Sequence, residues 1–557
     1  MRKLALRAHH IYNVKRDGSA KVRVVVNGKR QHDSTFTDTT SPVISQLQFR
    51  MFLAITAVRN YTTIQMDLTN AYLHADIVDE VYIIIPPGFD GAGEVAKLEK
   101  ATYGTKQGAR RFYDHTVKVL TQIGFTQCPS EPCLFRYLKK DAAAFLILYV
   151  DDALISGPND LVTDIQKKLK EYFDVKFSTP KDFIGLDITQ RKDGTITLSM
   201  NTFTEKLKET FQIPDKLPIL TPGRTDKKII RHDQPEPDPT YRSKVGSLMW
   251  TTMGTRYDIT YTVKELSRVL QEPTKTAKEI LERTLTYVTQ TPQAYLEFNP
   301  AKMTAFTLPP TRKKPQLHVN IYNVDEYNIQ DTIPQHDDSA TKQIYTFKGA
   351  QLIITCYTDI DLAGQHETRQ SISGYMLYLN GALIHWHGRT ERLIISSTAA
   401  GEYIALSRGH AACKFIKTIL KFYGNTSNKY YLYTDNQAAE HIATQPTMNE
   451  HSRSIDIHHH AVRQDYLAGK LQIGGVRTDA NPSDILTKYL PAPTHMRHAR
   501  DLNITFPTPT LSTTKDGPGT PTPITYTQNG NNIAPTTHPT HQGQYPTYRR
   551  PTNSLPT

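Results

Sequence analysis

Cysteine is scarce in this chain. Only Cys128, Cys133, Cys356 and Cys413 occur in 557 residues, and no two of them form a C-x-x-C pair. That spacing excludes a zinc knuckle and a disulfide framework and suits a reducing compartment. Long apolar runs are missing too. The run near the centre of the argument below, Ala142–Val150, falls far short of a bilayer span, and the N-terminus has no apolar signal core, so nothing argues for secretion or membrane insertion. There is no Asp-Thr-Gly or Asp-Ser-Gly protease motif, and no paired His/Cys zinc pattern.

Lys and Arg number 66 against 54 Asp and Glu, for a net charge of +12 and a pI near 9.2. Such an excess favours a polyanionic partner and leaves nucleic acid and an acidic membrane surface both open. The length accommodates three or four domains, while 38% hydrophobic residues and a mean hydropathy of −0.48 imply polar segments outside any core.

The stretch Ala142–Gly157, AAAFLILYVDDALISG, sets Asp151 and Asp152 between two apolar runs that read as the strands of a buried hairpin. Like charges this close repel unless a cation sits between them. The pair is therefore either a solvated Asp-Asp turn or part of a metal site. A metal site needs a further carboxylate, which Asp67 offers near the end of the alternating segment Thr62–Leu68, a predicted strand. Magnesium prefers oxygen ligands, keeps several waters and takes the rest from substrate phosphates. Three aspartates on neighbouring strands can hold two ions, and a pair about 4 Å apart activates an attacking 3′-oxygen and stabilises the leaving pyrophosphate.

YVDD at Tyr149–Asp152, with QMDLTNAYLHADIVDEVY upstream, resembles the palm of reverse transcriptases from copia-type LTR retrotransposons. The resemblance implies metal binding by Asp67, Asp151 and Asp152 and the backbone at Leu68, with two Mg2+ ions per site and Mn2+ able to substitute. It implies that Lys21 and Arg23, in KVRVVVNG, contact the incoming triphosphate or the template. Without it, the segment reads as a solvated basic hairpin turning at Asn27-Gly28. Tyr72 is implied as the steric gate against a 2′-hydroxyl; otherwise it is a core tyrosine. In YGTKQGARRFY, Tyr103–Tyr113, Gln107 takes the position that contacts the nascent base pair, with Lys106 and Arg110 as phosphate or backbone contacts. The family reads into its fingers from residues upstream of this N-terminus.

Local patterns supply the elements between these motifs. Val81–Ile85 is a predicted strand stopped by Pro86-Pro87. Phe112, Thr116, Val119, Leu120 and Ile123 share one helical face, as do Leu161, Val162, Ile165, Leu169 and Phe173. A hairpin is expected to turn at Asp193-Gly194. The segment from Tyr241 matches the family's helical stretch between polymerase and nuclease, with a further helix over Thr274–Val288. The polar interval 299–348 lacks periodicity and reads as an insertion or linker.

A second acidic constellation follows. Asp359 ends a predicted strand, Glu402 sits at a helix start, Asp435 ends the strand YYLYTD and Asp484 opens the helix in NPSDILTK. With a hairpin turning at Asn380-Gly381, this order resembles the copia-type ribonuclease H, an α/β sheet. Four carboxylates around two magnesium ions would let water attack an RNA phosphodiester. By the same resemblance His460 is a product-release or proton-shuttling group, where a family histidine is replaced by Ser454 and a family acid by Ala400. The plain reading of His458–His460 is a solvated run.

The expectation is thus an α+β multidomain chain: reverse transcriptase fingers and palm at 1–200, a mainly helical thumb or connection at 201–298, the insertion at 299–348, an α/β ribonuclease H-like domain at 349–504, and a disordered Pro/Thr-rich tail at 505–557. The expected function is RNA-directed DNA synthesis with ribonuclease H activity. Its partners are an RNA template, a DNA primer, RNA–DNA hybrid, dNTPs and other retroelement proteins such as capsid and integrase, with no membrane. The expected location is a cytoplasmic retroelement particle, with the nucleus as a further site. A different reading is a decayed or domesticated remnant that binds nucleic acid with little polymerase activity.

Overall fold

The computed structural model describes residues 5–14, 18, 20–216, 218–311, 351–425, 429–445 and 455–506. Most of the expected insertion (312–348), most of the expected tail (507–557) and Ser454 lie outside the described residues. Met1–Thr508 form one compact unit.

The chain begins with an antiparallel ribbon, β1 (Leu6–Val14) and β2 (Ala20–Val26), and helix α1 (Gln46–Val58) follows. β1 also pairs with β4 (Tyr82–Ile84), which pairs with β5 (Val95–Lys97), giving a sheet in the order β2-β1-β4-β5. This small sheet has its own apolar cluster of Leu6, Val26, Ile77 and Val81. β4 stops before Pro86, as the proline pair dictates.

The second sheet holds the Asp-Asp motif. It runs β10-β3-β9-β8-β7-β6, from β3 (Thr62–Leu68), β6 (Phe125–Cys128), β7 (Glu131–Lys139), β8 (Ala142–Tyr149), β9 (Asp152–Gly157) and β10 (Val175–Ser178). Its helices α2 (Gly108–Ile123) and α3 (Asn159–Tyr172) bury the apolar faces read from the sequence. The third sheet is β11 (Asp182–Phe183), β12 (Leu186–Gln190), β13 (Ile196–Ser199) and β14 (Tyr295–Phe298). The β12–β13 hairpin turns around Gly194, which has φ +82°. β14 pairs with β13, so strands from both sides of the boundary expected at residue 200 share one sheet. Between them lie α4 (Asn201–Thr210), α5 (Tyr241–Gly254), α6 (Thr260–Ser267) and α7 (Lys275–Thr289), and the short α8 (Pro300–Thr304) follows β14.

The fourth sheet is mixed, in the order β17-β16-β15-β18-β19. β15 (Ile354–Asp361), β16 (Ile372–Leu379) and β17 (Ala382–Thr390) form an antiparallel meander, and α9 (Thr398–Phe422) crosses to β18 (Tyr430–Thr434), parallel to β15. α10 (Gln437–Thr444) and α11 (Ala461–Leu467) precede β19 (Leu471–Gly475). The β16–β17 turn is Asn380-Gly381 with φ +48° and +78°, the left-handed pair that a two-residue hairpin favours. One continuous apolar core joins the last three sheets, from Ile44 to Ile504. Among the described residues no helix is long and apolar enough to cross a membrane.

Candidate active site: two carboxylate clusters

β3 carries Asp67 opposite Asp152, the first residue of β9, in the antiparallel ladder. Because Tyr149 pairs with Asp152, the β8–β9 turn consists of Val150 and Asp151 alone. The Leu68 N–H donates to the Asp151 carbonyl at 3.3 Å, which fixes this turn over the end of β3. Val150 has φ +55°, a conformation a β-branched side chain avoids, at a cost of about 1–3 kcal/mol that the surrounding sheet sustains. Burial, and then the neighbouring charges of Asp151, Asp67 and Asp182, push the Asp152 carboxyl up to about 6.

These aspartates open on a cleft of about 820 Å³, lined also by Leu68, Lys21, Arg23, Tyr103, Lys176, Lys181 and Asp182. The structure brings Lys21 and Arg23 from β2 to the cleft of the aspartates, with the Arg23 guanidinium 5.1 Å from the centroid of the Tyr103 ring. Lys176, Lys181 and Asp182 carried no signal in the sequence, since only the pairing of β10 with β3 and the placing of the segment after it on the cleft bring them there.

Four expectations change. Asn27-Gly28 is not a hairpin turn: β2 pairs backwards with β1, and Asn27 caps a 3-10 turn, its Oδ1 accepting from the Lys29 N–H at 3.3 Å. Gly28 is required there by close approach, since a Cβ would stand 2.1 Å from the Gly104 carbonyl oxygen. Gln107 does not reach the cleft. It is fully buried, donating to the Thr35 carbonyl (3.0 Å) and Asp79 (3.3 Å) and accepting from Gln31 (2.7 Å), so its amide is already engaged within the protein. Arg110 is likewise engaged, by Asp114 at 2.9 and 3.0 Å and by Asp38 at 2.9 Å, and pins the loop before α1 to α2. Tyr72 is half-buried on the 3-10 turn Ala71–His74. Its ring lies 4.3 Å from that of Tyr103 and 5.7 Å from that of Phe112, and its hydroxyl is raised by burial and then by Asp151. Tyr72 thus backs Tyr103, and Tyr103 is the ring that lines the cleft.

The second cluster forms across the fourth sheet. Asp359 lies within β15, two residues before the end of that strand; Glu402 lies in the second turn of α9, and Asp435 directly follows β18. Asp484 sits on the 3-10 helix Pro482–Leu486, which Asn481 caps through Oδ1 while donating from Nδ2 to the Thr358 carbonyl at 2.9 Å. One carboxylate oxygen from each of Asp359, Glu402 and Asp435 lies within 4.8 Å of the others, an all-oxygen donor set that suits a hard divalent cation. Asp359, Glu402 and Asp484 are 2%, 4% and 5% exposed. Burial, and then the charge of Asp359, push Glu402 up to about 9 and Asp484 up to about 8. Lys488 relieves part of this, its Nζ standing 3.2 Å from Asp484 Oδ1 and 3.7 Å from Asp359 Oδ2, and the Thr487 hydroxyl donates to Asp359. Lys488 and Thr487 were not singled out in the sequence; the available signal was Lys488 four residues after Asp484, one turn away.

The histidine run is not solvated throughout. His458 is exposed, but His459 is buried against Ser407 at 3.1 Å, where burial lowers it to about 4. His460 Nδ1 lies 3.0 Å from the Tyr403 hydroxyl, one helix residue from Glu402. Ala400 is buried and apolar in its setting.

Residues 3–225 match the family described as reverse transcriptase (RNA-dependent DNA polymerase). The chain is 27% identical over 510 residues to the retrovirus-related Pol polyprotein from transposon TNT 1-94 of Nicotiana tabacum, covering 88% of this chain and 35% of that protein. It is 28% identical over 503 residues to the corresponding polyprotein from transposon RE2 of Arabidopsis thaliana, covering 88% and 31%. A putative transposon Ty5-1 protein of Saccharomyces cerevisiae is 27% identical over 351 residues, covering 61% of this chain and 98% of that one. The chain spans about a third of the length of the two plant polyproteins. The chain is accordingly similar to retrotransposon Pol polyproteins over most of its length, and its residues 3–225 match the reverse transcriptase family.

Proposed function

We propose that the chain is an RNA-directed DNA polymerase with an attached ribonuclease H, copying RNA into DNA at the first cluster and degrading the RNA strand of the hybrid at the second. The observation that carries this reading is the presence of two separate carboxylate clusters on two sheets of one chain, the first beside a cleft with basic walls. In this reading the first two sheets are fingers and palm, the helices from Tyr241 to Thr289 are thumb or connection, and the fourth sheet is the ribonuclease H-like fold.

Asp67, Asp151 and Asp152 would hold divalent cations in the polymerase cleft, and Asp359, Glu402, Asp435 and Asp484 in the nuclease. Divalent cations held there would supply activation of the attacking oxygen and stabilisation of the leaving one. Lys21 and Arg23 face the cleft from the ribbon and orient the triphosphate or the template phosphates. Tyr103, supported by Tyr72 and Phe112, offers the planar wall against which a sugar packs. Lys488 partly neutralises Asp359 and Asp484 and so keeps the nuclease acids together before cations arrive.

Primer extension on an RNA template with dNTPs, run with and without magnesium, tests the polymerase. Release of fragments from a labelled RNA–DNA hybrid tests the nuclease. Both are expected only with the metal. Retention of the hybrid with no extension under any metal would favour the decayed remnant instead.

A further inference from the structure

Two arginines stand where the second sheet meets the C-terminal end of α9. Arg59, the C-cap of α1, donates to the Tyr423 carbonyl, and Arg136 of β7 donates to the Phe422 carbonyl at 3.0 Å. Each guanidinium also lies over an aromatic ring: Arg59 5.1 Å from the Phe145 centroid, Arg136 4.6 Å from that of Phe422. The Tyr423 ring in turn lies 4.6 Å from Phe145. Phe422 and Tyr423 are the last residue and the C-cap of α9. Terminal carbonyls of a helix lack intrahelical partners and form the negative end of its dipole, so two cations there are well placed.

The two ends of this helix belong to different chemistry. Glu402 lies near the N-terminus of α9, about 30 Å from Phe422 at 1.5 Å per residue. Phe145 lies in β8, the strand that leads through Tyr149 into the turn carrying Asp151. A continuous packed path therefore runs from the strand holding one carboxylate cluster to the helix holding part of the other. Neither reaction requires such a path, because two folds joined by a slack connection would each still act.

Resting on the function proposed above, we infer that Arg59 and Arg136 are positioning residues that fix how far from the primer terminus the RNA strand is cut. They touch no substrate in this account. They set the spacing of the two clusters through α9.

The test uses the full chain on an RNA template annealed to a DNA primer with a recessed 3′ end, with magnesium and without dNTPs, so that the primer terminus stays in place. The parental chain should give a narrow set of first cuts at one distance from that terminus. In the double variant Arg59→Gln, Arg136→Gln this set should spread over several positions, while the rate of primer extension and the total cleavage of a blunt hybrid stay at the parental level. Arg59→Lys, Arg136→Lys keeps cations at the end of α9 and should narrow it again. If thermal unfolding shows that the double glutamine variant does not fold, the single Arg136→Gln, at a half-buried surface position, decides on the same readout. An unchanged cut set with both activities intact overturns the positioning role, as does a parental cut set that is already broad. A parental chain that neither extends nor cleaves refutes the functional reading itself, which is a separate outcome.

Discussion

The two carboxylate clusters differ in how they manage negative charge. In the first cleft Asp67 is exposed, Asp151 and Asp152 are half-buried, and the cations nearby, Lys21 and Arg23, stand on a ribbon across an open space. Asp152 is raised there, to about 6. In the second cluster three acids are almost fully buried, two are raised to about 8 and 9, and Lys488 is ion-paired inside the group. An open site can leave neutralisation to ions and substrate as they arrive. A closed site must hold a cation of its own or keep protons, because desolvated like charges repel strongly.

The comparison breaks most sharply at Asp151. Asp151→Asn should lower primer extension by at least about a thousandfold, ~4 kcal/mol of transition-state stabilisation, and leave hybrid cleavage near parental. Equal loss of both activities would show that the clusters are not independent. The converse is Glu402→Gln, which should cost RNA cleavage about a hundredfold, ~2.7 kcal/mol, and spare extension, with excess manganese restoring part of it. Parental cleavage by this variant would make Glu402 a buried structural acid.

Next in size is the pH dependence of stability without metal. Glu402 and Asp484 have folded-state values above their unfolded ones. The unfolded chain therefore ionises first as pH rises, and stability should fall between about 4.5 and about 9. Thermal unfolding in a chelating buffer should show this slope, Glu402→Gln should flatten it, and magnesium should stabilise most at the alkaline end. A slope unchanged in the variant would assign it to other groups.

Smaller effects concern the cleft wall and its surroundings. Removing the backing ring, Tyr72→Ala, should raise ribonucleotide incorporation several-fold, and Tyr103→Ala should raise it at least as much, since Tyr103 is the exposed face. Competition between labelled rNTP and dNTP reads this directly, and an unchanged ratio in both variants would remove these rings from sugar selection. The smallest effect is expected at Arg110. Its pairs are largely solvent-exposed, so Arg110→Ala should cost less than about 1 kcal/mol of stability and leave the KM for dNTP unchanged. A large rise in that KM would restore Arg110 as a phosphate contact.

What the sequence made legible was local. Asn380-Gly381 and Asp193-Gly194 turn where expected because two adjacent residues settle such a turn. The amphipathic faces of α2 and α3 follow from spacing alone. Asn27-Gly28 misled because the same dipeptide also caps a 3-10 turn, and what decides between the two is Gly104, far along the chain. Gln107 misled for the same kind of reason: its partners Gln31 and Thr35 lie more than 70 residues upstream. Lys488 went unremarked because a lysine one turn from an aspartate is common on any surface, and only burial beside Asp359 gives it a role.

Arg50 carries a consequence in time. Its guanidinium is buried, lowered to about 9 by that burial, and bound to the carbonyls of Met253, Gly254 and Ile384 while lying 4.2 Å from the Trp386 ring centroid. Ile384 is 334 residues downstream. At roughly 5–20 residues per second of synthesis, Arg50 waits tens of seconds on the ribosome for its last acceptor. Throughout that interval the face of α1 that β17 will cover stays open to water, to chaperones and to other nascent chains. A messenger truncated before Ile384 never closes it.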